Sequence, residues 1–161
     1  MLNPARRKSP SVVLVALILA TTLPDLAAGS TRVTPPQTDC FVTIGDAHIS
    51  TYISERSGQP AVKVNAQSTC NVTTDNLILT VEIFKKGSFM RIYSVAKKEV
   101  SIQRVMLPAE IIEFKDTYRF CKNQRSTKYF GVISARIRIL GRSHQTLKAR
   151  SEHEVSLACG T

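Results

Sequence analysis

Leu77-Ile78-Leu79-Thr80-Val81-Glu82-Ile83 places Leu77, Leu79, Val81 and Ile83 on one parity, with Thr80 and Glu82 on the other. Successive side chains of a strand point to opposite sides, so a period of two marks a strand with one buried face. Gly131, Ile133, Ala135, Ile137 and Ile139 repeat the pattern, and Ser134, Arg136 and Arg138 face the other way. Further out, Ile49, Thr51 and Ile53 alternate with His48, Ser50 and Tyr52, and Val62 and Val64 with Lys63 and Asn65. Residues 89–95, 100–106, 118–122 and 154–159 read as shorter strands, rich in β-branched and aromatic residues. Turn chemistry separates the runs at Ser57-Gly58-Gln59-Pro60, 71–76, Lys86-Gly87-Ser88 and Gly141-Arg142-Ser143. The one helical candidate is 108–114, where Pro108 stands at a first turn before Ala109-Glu110. About seven to nine short strands at turn-bounded intervals predict an all-β fold, an antiparallel β-sandwich.

The N-terminus reads differently. Arg6, Arg7 and Lys8 precede an almost purely apolar run from Val12 to Leu23, and Leu26-Ala27-Ala28-Gly29-Ser30 supplies small residues for cleavage. This is the layout of a secretory signal peptide, expected over 1–28. The apolar run is shorter than the roughly 20 residues a bilayer span needs. Lys8-Ser9-Pro10 departs from a twin-arginine continuation. Residues 29–39, with Pro35-Pro36, read as a flexible linker, which leaves 40–161 as one domain.

Four cysteines, Cys40, Cys70, Cys121 and Cys159, all fall inside that domain. An even count in a short exported chain predicts two disulfides and an oxidising compartment. Four cysteines allow three pairings. The midpoint between Cys40 and Cys70 borders the turn at Ser57, and that between Cys121 and Cys159 borders Gly141. Antiparallel strands around those turns would bring each pair opposite, which favours Cys40–Cys70 and Cys121–Cys159. The rival is Cys70–Cys121, an inter-sheet bridge of the immunoglobulin kind. Those domains pack a tryptophan on that bridge, and this chain has none.

Several stretches carry a resemblance: Ala66-Gln67-Ser68-Thr69-Cys70, Leu77-Ile78-Leu79-Thr80-Val81, Phe84-Lys85-Lys86-Gly87, Cys121-Lys122-Asn123, Tyr129-Phe130-Gly131 and Val155-Ser156-Leu157-Ala158-Cys159-Gly160. From Cys40 to Gly160 the chain resembles a group of small secreted proteins of actinobacteria, through cysteine placement and strand patterning. The resemblance implies a disulfide-stapled, immunoglobulin-like sandwich without an assigned activity, and it transfers no catalytic or ligand residue.

Catalytic patterns are missing. There is no Gly-x-Ser-x-Gly elbow, no phosphate-cradling glycine loop and no Cys-x-x-Cys, so neither an enzyme nor a cofactor is expected. His153-Glu154 opens like a zinc-protease motif, but Leu157 occupies the second histidine position and no metal site is expected. His48, near Asp46, could orient a base for Ser50, although such residues on a strand are more often surface polar groups.

Charge is the remaining signal. The chain carries +10, and +8 without the leader's Arg6, Arg7, Lys8 and Asp25. A basic exported protein is drawn to anionic polymers and lipid head groups. Arg136 and Arg138 project from one strand face, roughly 7 Å apart. Arg119, Lys122, Arg125 and Lys128 precede that strand, and Lys148 and Arg150 lie on its hairpin partner. Arg136, Arg138, Arg119, Lys122, Lys148 and Arg150 are therefore the candidate ligand-binding set, because clustered guanidinium groups suit phosphates and carboxylates. The alternative is that these charges simply cover an outward face, their stems shielding apolar residues beneath. Lys85 and Lys86 end a different strand and serve as reference charges. No aromatic series accompanies the arginines, and export argues further against nucleic acid as partner. Two functions are compatible with these features. One is a secreted or envelope-associated non-catalytic binding domain for anionic wall polymer, a lipid surface or another protein. The other is a secreted protease inhibitor that presents 122–128 as a loop.

Overall fold

The computed structural model describes residues 39–161, so the expected signal peptide and nearly all of the expected linker lie outside the described residues. Nine strands and one short helix follow in the order β1 (Cys40–Ile44), β2 (His48–Ile49), α1 (Thr51–Ser57), β3 (Ala61–Cys70), β4 (Thr74–Lys86), β5 (Ile92–Ile102), β6 (Ile111–Phe120), β7 (Asn123–Ile139), β8 (His144–Arg150) and β9 (Val155–Gly160). All pairings are antiparallel. In the first sheet β3 is central, with β1 and β2 sharing one edge and β6 on the other. In the second, β7 is central. Its one edge carries β4, then β5; its other edge carries β9 against the first part of the strand and β8 against the rest. The chain crosses between sheets at β3–β4, β5–β6 and β6–β7, the connectivity of an all-β sandwich.

The alternating runs bury the parity the sequence marks. Leu77, Leu79, Val81 and Ile83 of β4 and Ile133, Ala135 and Ile137 of β7 meet Val62, Val64, Ala66 and Phe114 of the first sheet. The sheets approach closely at Gly131: a Cβ there would lie 2.7 Å from Ile44 Cδ1 and 3.0 Å from Val64 Cγ1. Tyr129, fully buried, donates its hydroxyl to the Cys159 carbonyl. Where β8 gives way to β9, Ser151 maintains the ladder by itself. Its amide donates to the Gly131 carbonyl (3.0 Å), and its hydroxyl accepts from the Gly131 amide (3.0 Å).

The disulfides are Cys40–Cys70 and Cys121–Cys159, with no free cysteine. The first joins directly opposed residues of β1 and β3. The second ties the end of β6, in the first sheet, to β9 in the second, beside the Lys122 amide that donates to the Gly160 carbonyl (2.6 Å). Two disulfides fit an oxidising compartment. Among the described residues no helix is long and apolar enough to cross a membrane.

Four expectations are corrected. The alternation over 48–53 yields only the two-residue β2. Ser50 then caps α1, accepting from the Ile53 amide (3.3 Å), and Gly58 closes it with φ 69° and its amide on the Ser54 carbonyl (2.9 Å). Helix signals at both ends override a short period-two run. The helical candidate 108–114 is instead a turn at 108–110 and the start of β6. Ala109 is left-handed (φ 64°), its amide donates to the Cys70 carbonyl (2.7 Å), and Ile111-Ile112 continue as strand with Phe114 buried. Strands expected at 89–95 and 100–106 merge into the single edge strand β5, with Phe89 and Met90 left in the turn before it. Residues 122–128, expected as a loop, lie mostly within β7 and pair with β9.

Candidate anion-binding groove

Strand β4 ends at Lys86 beside the first part of β7, and the register sets Lys86 opposite Lys128 and Lys85 opposite Tyr129. On the other edge of β7 the ladder with β9 slips between Asn123 and Ser126, and Arg125 sits in that irregularity with its amide on Asn123 Oδ1 (3.0 Å). Bulges of this kind re-aim side chains at a strand end. Gly160 stands opposite, and a Cβ there would lie 2.0 Å from Asn123 Oδ1, so the Asn123 side chain would have to turn away. The result is an open groove of about 600 Å³ walled by Lys85, Lys86, Arg125 and Lys128, with hydroxyls from Ser88, Ser126 and Thr127. A second hollow of about 500 Å³ shares Lys85 and adds Arg119, Lys122 and Tyr93. Neither wall contains an Asp or Glu.

Partners decide which cations are free. Lys86 pairs with Glu154 (2.6 Å), whose carboxyl is held below the usual range mainly by that bond, and Lys85 donates to the Thr161 carbonyl. Among the described residues Arg119, Lys122, Arg125 and Lys128 have no carboxylate within ion-pair distance. Arg125 and Lys128 of the groove, with Arg119 and Lys122 of the adjoining hollow, are thus the cations left without a neutralising carboxylate among the described residues, an arrangement suited to a ligand with several negative charges.

The six residues proposed from the sequence divide into two groups. Arg136 and Arg138 stand on the outer face of the second sheet, opposite Thr146 and His144 of β8; Lys148 faces Ser134, and Arg150 faces Val132. Arg138 is engaged: its Nε lies 2.6 Å from Asp75 Oδ1, and this bond holds the Asp75 carboxyl below its ordinary value. Arg150 is engaged twice, over the Phe130 ring at 3.9 Å and against Glu154 at 2.5 Å, while Phe130 stacks on Phe84. Of these four, Arg136 and Lys148 have no carboxylate within ion-pair distance among the described residues. Arg119 and Lys122 lie away from it, in the second hollow. The sequence reading missed that Lys85 and Lys86, taken as reference charges, belong to the groove wall. The signal available was their position just before the Gly87 turn, which an antiparallel partner places beside the basic run at 125–128.

The residues weighed for catalysis serve other purposes. The buried Ser50 caps α1, and Asp46 turns to His153, accepting from its amide (2.9 Å) with Nδ1 2.8 Å away. His48 Nδ1 lies 3.2 Å from the Asp46 carbonyl oxygen. Among the described residues no group of three or more His, Cys, Asp or Glu could hold a metal ion.

The chain matches no protein-family model, and no curated protein matches it. Among solved structures it is similar to the crystal structure of an ApaA protein from Bordetella pertussis, at 13% identity and a TM-score of 0.43, over 77% of this chain and 98% of that chain.

Proposed function

We propose that the chain is a non-catalytic binding domain, secreted or envelope-associated, that takes phosphate-bearing anionic polymers or surfaces as its ligand class. The observation that carries this reading is the groove walled by Lys85, Lys86, Arg125 and Lys128 with no Asp or Glu in its lining, continued by Arg119 and Lys122 in the adjoining hollow. Two disulfides, a leader of secretory layout and the resemblance to small secreted actinobacterial proteins support the extracellular setting. The alternative, a secreted protease inhibitor, requires a rigid exposed loop, and its candidate segment is largely occupied in the β7–β9 ladder.

Titration of the disulfide-bonded protein with inorganic polyphosphate tests the reading. Binding is expected in low salt and should weaken steeply above about 0.1 M, where the screening length falls to about 10 Å. K85Q/R125Q should remove most of it. Binding that is absent in low salt, or indifferent to those two replacements, would refute the groove as the site.

A further inference from the structure

The β4–β5 hairpin closes on two residues, Phe89 and Met90, both with φ of 58°. The Gly87 amide donates to the Arg91 carbonyl at 2.8 Å, and the Arg91 amide approaches the Ser88 carbonyl at 3.4 Å. Two consecutive left-handed residues are the type I′ pattern, for which Asn-Gly is the fitting pair and bulky side chains are costly. The side chains recover nothing by packing: Phe89 is 95% exposed and Met90 86%. Ile92 and Tyr93, next along the hairpin, are 53% and 45% exposed. A strained tip that displays large apolar groups to water points to an occupant that takes them up.

The surroundings identify that occupant. Met90 itself lines the cationic groove with Lys85, Lys86, Arg125 and Lys128, and Arg91 follows it directly. A soluble polyanion would engage the cations and leave Phe89 in water. An apolar tip above a basic collar instead matches an anionic lipid surface, where acyl chains accept the tip and headgroup phosphates meet the collar. We propose that Phe89 and Met90 insert into anionic bilayers while the groove binds lipid phosphates. This inference rests on the anion-binding reading above and adds the lipid as its source.

The test uses the disulfide-bonded protein with vesicles of phosphatidylcholine alone, vesicles of equal parts phosphatidylcholine and phosphatidylglycerol, and inorganic polyphosphate. The chain has no tryptophan, so M90W supplies a single reporter. Its emission should shift to the blue on anionic vesicles and be quenched by brominated acyl chains. F89N, at a residue outside the groove wall, installs a residue that the left-handed position tolerates, so it should fold with an equal or higher Tm and keep polyphosphate binding. It should lose at least about tenfold in affinity for anionic vesicles, as burial of even one such side chain is worth that factor. Vesicle-bound M90W with unshifted emission would overturn insertion, as would wild-type vesicle affinity in F89N. Polyphosphate binding without vesicle binding would overturn this inference and leave the anion-binding reading standing. Binding to neither would overturn both.

Discussion

Removing the Cys121–Cys159 bridge should separate stability from binding in a way that removing Cys40–Cys70 does not. The bridges span sequence separations of 38 and 30. On the chain-entropy account those loops correspond to about 3.9 and 3.7 kcal/mol, nearly the same stabilisation. At roughly 3–5 °C per kcal/mol for a domain of this size, each Cys-to-Ala pair should lower Tm by about 11–20 °C. The structural consequences differ, however. Cys40–Cys70 joins two neighbouring strands of the first sheet, away from the groove. Cys121 separates Phe120 at the end of β6 from Lys122, whose amide holds the Gly160 carbonyl, and Gly160 lines the groove. C121A/C159A should therefore weaken polyphosphate binding at temperatures where it is still fully folded, whereas C40A/C70A should leave binding unchanged. Thermal unfolding by circular dichroism and titration at a common low temperature measure both quantities. Equal binding losses in the two variants, or none in either, would refute the claim that the second bridge positions the site.

Three further outcomes are expected. K85Q/R125Q should reduce polyphosphate binding more than R136Q/R138Q, because Arg138 is already engaged by Asp75, and titration of the two variants side by side measures the order. D46N should reduce stability chiefly between about pH 4 and 6.5: Asp46 is lowered from 3.8 by its bonds from His153, and His153 is raised from 6.5 by the Asp46 carboxylate. The carboxylate's contribution is lost as pH falls through its lowered value and the imidazolium's as pH rises through its raised one, so the Tm difference from wild type should peak between them and shrink at either side. G131A should cost about 1–3 kcal/mol by overpacking. I44V removes the Cδ1 atom nearest the new methyl and should restore part of that loss, with Val64 limiting the recovery; denaturant unfolding of the single and double variants measures both.

What the sequence revealed follows from how local each signal is. The core faces of β4 and β7 were legible because seven of their alternating residues are buried in register, and register is enforced wherever one face must leave water. The Cys40–Cys70 pairing was legible because those cysteines straddle a marked turn and stand opposed on β1 and β3, whereas Cys121–Cys159, also the expected pair, joins the end of β6 to β9 across the two sheets. The helix after Ser50 was misread because two periods, 2 and 3.6, fit so short a run, and the decision falls to the caps at Ser50 and Gly58. The binding surface was only half legible, for a different reason. Spacing along one strand shows which side chains share a face, and this places Arg136 with Arg138. Which cations remain free depends on residues far away in the chain: Asp75 engages Arg138, and Glu154 engages both Arg150 and Lys86. The groove arises from another non-local fact, the register that sets Lys86 opposite Lys128. Phe89 and Met90 are the opposite case. Apolar residues there read as the start of a strand, yet the turn chemistry of Lys86-Gly87-Ser88 extends through them, and their left-handed backbone leaves both side chains in water. On the lipid-insertion proposal, the local preference broken at this exposed point of the hairpin is offset by burial of both side chains in the bilayer.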